Sequence, residues 1–105
     1  RNSHSLNIEE NSDGRHNIVL QFAEEVTFIN KAPISRELES LPLNTNLKLD
    51  VTRTKFLDND IIEILNDFLE TTSGKNINFK VLTKKGEFEN PKNMSHIFTD
   101  RKKSA

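Results

Sequence analysis

Three carboxylates around one loop, Asp50, Asp58 and Asp60, are the residues of this chain whose types and spacing come nearest to doing chemistry. Carboxylates at the C-terminal end of a central strand can hold Mg²⁺ in a doubly wound fold. The same residues have a plainer use. Asp-Asn-Asp ahead of an apolar run caps a helix, whose first backbone N–H groups lack partners, and complements its dipole. No phosphate-cradling loop, with its lysine and threonine, accompanies the three acids, so capping is the expected role and no metal site is expected. Two carboxylates within ~5 Å of a phosphate would also cancel the ~0.3–1 kcal/mol that a helix N-terminus offers an anion.

Elsewhere the ingredients of catalysis are sparse. His4, His16 and His96 are scattered and form no ligand-spaced motif such as HExxH. Three glycines, Gly14, Gly74 and Gly86, build neither a Walker loop nor GxGxxG, and no GxSxG elbow occurs. Without cysteine there is no disulfide, thiolate metal site or thiol nucleophile. The expectation is a protein with no catalytic residues and no cofactor. A phosphate-transfer or hydrolase domain using Asp50, Asp58 and Asp60 is the weaker alternative.

The elements that position these acids lie in the stretch Leu47 to Leu69, LKLDVTRTKFLDNDIIEILNDFL. Leu47, Leu49 and Val51 alternate with Lys48, Asp50 and Thr52, the period of a strand with one buried face. Ile61, Ile62, Ile64, Leu65, Phe68 and Leu69 then form one stripe of a helix. A strand feeding a capped amphipathic helix is half of a βαβ unit, and the rest of the chain supplies its neighbours.

Arg1 to Arg15 is rich in Asn, Ser and Glu and is expected to be a linker or disordered lead-in. Alternation predicts strands near 17–22 and 25–29, joined as an antiparallel hairpin. Asn30 can cap a helix over 31–41, with Pro33 in its first turn and Pro42 at its end. The central strand covers 47–52 and the second helix 59–72, closed by Gly74 in the left-handed position. A strand at 77–82 follows, then a turn over Lys84 to Glu87, and Met94, Ile97 and Phe98 suit a short final helix. The division expected is a lead-in (1–15), one domain (16–100) and a basic tail (101–105). The fold class is α/β, a mixed and mostly parallel sheet in the order β-β-α-β-α-β-(α). Phe56, Leu65 and Phe68 are expected in the core.

Composition sets outer limits. The 105 residues suffice for one core, burying roughly 60–70% of the unfolded chain's surface. Charged residues make up 30% of the chain, and no apolar run reaches the ~18 residues of a membrane helix. The first fifteen residues are polar, so no signal peptide is expected in them. A chain that starts at Arg1, with its only methionine at Met94, is expected to be a piece of a longer protein. A net charge of -1 argues against a nucleic-acid partner. The one dense basic cluster, Arg101-Lys102-Lys103, reads as a solvated tail.

LDVTRTKFLDNDIIEIL resembles the core motif of STAS domains, the modules shared by sulfate transporters and anti-sigma factor antagonists. In that motif a strand ending in Leu-Asp and a hydroxyl residue leads, through an apolar pair, to an Asp that opens a helix. Here those positions are Leu49-Asp50-Val51-Thr52 and Phe56-Leu57-Asp58. The preceding EEVTFINKAPISRELESLP, with Phe28, Asn30 and Lys31, is similar to the SulP-family transporter branch, which Asp60 and Glu63 also fit. The likeness spans roughly residues 16–83. It implies a STAS-like mixed sheet and a non-enzymatic regulatory domain at the cytoplasmic C-terminus of a sulfate or bicarbonate transporter, on the inner side of the cell membrane. The implied partners are the transporter's own membrane domain and a cytosolic protein, with homodimerisation through the parent. Its interaction loop would hold Thr52, Arg53, Asp58, Asn59 and Asp60. In anti-sigma factor antagonists the residue after the motif Asp is a phosphorylated Ser or Thr. Asn59 stands there, so a phospho-switch does not carry over. The alternative is a free-standing signalling STAS protein that binds a partner without that switch.

Overall fold

A computed structural model describes residues 3–98. Its strands are β1 (His4–Ile8), β2 (His16–Phe22), β3 (Glu25–Val26), β4 (Thr45–Asp50), β5 (Phe56–Leu57), β6 (Asn78–Thr83) and β7 (Gly86–Glu89). The helices are α1 (Lys31–Glu39) and α2 (Asn59–Leu69), with a 3-10 turn over Phe28–Asn30 and a last helical turn at 95–98. The main sheet runs β1-β2-β4-β6-β7, so the strand built from the organising stretch is its centre. β2, β4 and β6 are parallel, whereas β1 and β7 pair antiparallel at the two edges. The expected mixed α/β sheet is present.

Because β2, β4 and β6 follow one another in a single direction across the sheet, right-handed crossovers send both helices to the same face. The core lies between. Ile18, Leu20 and Phe22 of β2, Leu47 and Leu49 of β4, and Phe79 and Val81 of β6 pack with Ile34 and Leu38 of α1 and Ile61, Leu65 and Phe68 of α2. Phe68 meets Phe79 edge to face at 5.3 Å. Met94 and Phe98 close the far side, as the spacing of the final segment anticipates. Their entry is fixed by the Met94 amide, which donates to Asn66 Oδ1 at 2.7 Å.

Several boundaries differ from the expected ones. The lead-in does not read as linker throughout, since His4–Ile8 is an edge strand paired with β2. Ser12-Asp13-Gly14-Arg15 makes the connection. Asp13 and Gly14 both have positive φ, and the Ser12 and Arg15 amides and carbonyls bond reciprocally at 3.1 and 2.8 Å. That is the Asp-Gly geometry whose twist suits a hairpin.

The expected hairpin between 17–22 and 25–29 does not form. β2 already has a neighbour on each side, so β3 pairs instead with β5, in parallel, as a separate two-stranded sheet. The segment after β3 winds into the 3-10 turn rather than extending as strand. At the end of α2, Gly74 is not left-handed; Asn76 takes a φ of 56° before the chain enters β6. The expected turn over Lys84 to Glu87 is tighter, and Gly86 already opens β7. Phe56, expected in the core, is 50% exposed. On a two-residue strand its neighbour Leu57 packs against the core instead. The basic tail 101–105 lies outside the described residues.

Candidate functional site at the end of the central strand

β4 ends at Asp50, and the chain reaches α2 through a loop that carries Thr52, Arg53 and Asp58, with Asn59 and Asp60 opening the helix. Two of the acids, Asp50 and Asp58, are engaged with backbone groups. Asp50 Oδ1 accepts from the Thr52 amide at 2.9 Å and the Thr52 hydroxyl at 2.7 Å, folding the chain back as it leaves the sheet. Asp50 Oδ2 accepts from the Gln21 amide side chain of β2 at 3.4 Å. Val51 is buried, and its backbone N–H donates to the Leu82 carbonyl at 2.9 Å, so the loop starts from a fixed point.

Asp58 is the N-cap of α2, with extended backbone and one carboxylate oxygen accepting from the Asp60 amide at 3.3 Å. Its other oxygen accepts from the Phe28 amide at 3.1 Å. A single carboxylate thus serves the first amides of α2 and of the 3-10 turn together, and negative charge is favoured at both termini. The Asp58 amide donates to the Val26 carbonyl, and those of Lys55 and Phe56 to the Glu24 carbonyl, at 3.0, 2.8 and 3.0 Å. Thr27 and Asn30 brace the 3-10 turn from inside, the Thr27 amide donating to Asn30 Oδ1 at 2.8 Å. Asn30 therefore spends its side chain on this turn and makes no side-chain cap on α1.

Asp60 lies in the first turn of α2, where its charge complements the dipole. Among the described residues no group of three His, Cys, Asp or Glu side chains is arranged to hold a metal ion, so Asp50, Asp58 and Asp60 do not converge. Asn59 and Arg53 are exposed, and Thr52 is half-buried.

The feature that sequence reasoning missed is apolar. Phe28 and Ile29 in the 3-10 turn are 61% and 73% exposed, and they join half-exposed Phe56 on elements tied together by Asp58 and by the β3–β5 pairing. Exposed apolar residues grouped on one rigid loop cluster mark contact surfaces more often than those scattered singly. The available signal was Thr27 followed three residues later by Asn30, a capping-box spacing that ends the strand before Phe28. This arrangement offers a contact surface in which Phe28, Ile29 and Phe56 are exposed on segments that Asp58 and the β3–β5 pairing tie together, with Asp50 and Asp58 holding the loop's shape.

No protein-family model matches the chain, and no curated protein matches it.

Proposed function

We propose that this domain is a non-enzymatic docking module of the STAS kind, the cytoplasmic end of a SulP-like anion transporter, and that it works by contact through the Thr52–Asp60 loop. The observation that carries the docking role is the pairing of a pinned backbone with exposed apolar side chains. Asp58 ties the Phe28 amide to the first turn of α2, and the Glu24 carbonyl holds the Phe56 amide on the neighbouring strand. The assignment to the transporter branch rests on the motif from Leu49 to Asp58 and on Phe28, Asn30 and Lys31 ahead of the first helix. No helix of the described residues is long and apolar enough to cross a membrane, so the transporting part would lie in other segments of the parent chain. Asn59 cannot accept a phosphate, which favours constitutive contact over a kinase-controlled one.

The natural partner is the cytoplasmic face of the membrane part, whose basic loops would complement Asp58, Asp60 and Glu63 and set orientation more than affinity. The reading frame upstream of Arg1 tests the assignment. Repeated apolar segments of about 20 residues there are the expected result, whereas an initiating methionine immediately before Arg1 would replace the transporter with a free-standing signalling protein.

A further inference from the structure

The two edges of the main sheet are built differently. β7 is short and carries Glu87 and Glu89, both within ion-pair distance of Lys80 at 3.5 and 3.8 Å. Charge on a short edge strand discourages a further strand from adding. β1, with the sequence His-Ser-Leu-Asn-Ile, holds no Asp, Glu, Lys or Arg in a chain that is 30% charged. It has no proline and no bulge in its register with β2.

The ladder shows which of its backbone groups are open. Glu9 donates to the Asn17 carbonyl, and Ala23 to the Ser3 carbonyl, both at 2.8 Å. Antiparallel ladders alternate, so Ser3, Ser5, Asn7 and Glu9 face β2, and the N–H and C=O of His4, Leu6 and Ile8 point outward. Among the described residues no strand lies beyond them. The side chains of Leu6 and Ile8 line an open groove with Pro33, Leu41 and Pro42, bordered by Arg36 and Glu37, and Ile8 is 76% exposed.

We propose that a second copy of this chain pairs its β1 antiparallel with this β1 across a two-fold axis at Leu6, joining two five-stranded sheets into one. The strand is self-complementary. With Leu6 opposite Leu6, His4 faces Ile8 and Ser5 faces Asn7, so no like charges meet and no outward backbone group goes unpaired. Leu6 and Ile8 of each copy share one face, next to both grooves, which removes Ile8 from water. A free strand of another protein is the competing occupant, but nothing on this edge selects against the copy that is always present.

The test is sedimentation of the chain across a concentration series, with amide exchange read residue by residue. The expected result is a concentration-dependent dimer in which the Leu6 and Ile8 amides exchange at least about tenfold more slowly as dimer forms. Ser5 and Asn7, already bonded to β2, should stay unchanged. Ile8→Lys places a charge on an exposed edge, and Ile8→Pro removes an outward N–H without touching the β1–β2 ladder. Both should give monomers with the parent circular dichroism spectrum. A chain that stays monomeric to millimolar concentration overturns the proposal, as does a dimer that survives Ile8→Lys in a folded protein or protects no β1 amide.

Discussion

The carboxylate of Asp58 stands 3.1 Å from the backbone nitrogen of Phe28, thirty residues earlier in the chain. With its other oxygen on the Asp60 amide, this side chain closes the C-terminal end of the sheet by joining two helical N-termini. Asp50 and Asp58 turn their acceptor oxygens onto amides, a hydroxyl and the Gln21 side chain, and Asp60 does not converge with them. This arrangement explains why Phe28 and Phe56 can stay exposed without the loop collapsing over them.

Asp58→Ala removes both caps and should lower stability by about 1–3 kcal/mol in urea unfolding. Asp58→Asn keeps one acceptor oxygen and presents an NH₂ to the other amide, so its loss should fall between those of alanine and the parent. Equal losses for alanine and asparagine would show that only the charge near the α2 dipole matters.

Arg15 closes the opposite end of the sheet. Its Nε donates to Asn46 Oδ1 at 2.7 Å, and one terminal nitrogen donates to the Thr45 and Asn76 carbonyls at 3.1 and 2.7 Å. Asn46 in turn donates to Asn17 and accepts from Asn78, at 3.0 and 3.1 Å. Arg15→Ala should cost about 1–3 kcal/mol. Arg15→Lys should recover only part of that, because an ammonium lacks the planar fork. Full recovery by lysine would assign the effect to charge alone.

Leu65 is fully buried at the centre of the α2 stripe, and Leu65→Ala should cost about 2–5 kcal/mol as a core truncation. A loss below about 1 kcal/mol would mean that the stripe does not face the sheet.

The contrast between what was legible and what was not follows from the range of the interactions. β4 and α2 were visible because period-two and helical spacing are local properties of Leu47–Val51 and Ile61–Leu69. The capping role of Asp58 toward α2 was visible for the same reason. Its second partner was not, since nothing in a linear sequence brings Phe28 to Asp58. β1 was concealed by polar composition, although Leu6 and Ile8 at a spacing of two and the Asp13-Gly14 turn carried its signal. The short connection between β2 and β3 does not by itself make them a hairpin. The partner of β3 was decided instead by β1 and β4 already occupying both sides of β2. Phe56 lies half outside the core because hydrophobicity alone does not say which side of a two-residue strand faces inward.

Phe28→Ser and Phe56→Ser separate contact from folding. Phe28 is mostly exposed and Phe56 half-exposed, so each substitution should cost no more than about 1 kcal/mol of stability. On the proposed reading, binding to the membrane part in a pull-down should nonetheless weaken. Unchanged binding with both substitutions would remove the apolar trio from the contact surface.

Asn59→Arg in the parent protein separates docking through the loop at the end of β4 from simple helix capping, read as anion transport, on the proposed transporter reading, beside the melting of the domain. Asn59 is exposed on the first turn of α2, where an added positive charge opposes the helix dipole by about 0.3–1 kcal/mol and leaves the fold intact. A docking loop gives lost transport or assembly in a domain that still melts cooperatively. Transport at the parent level would contradict it, and the loop would then be a cap for α2 and nothing more.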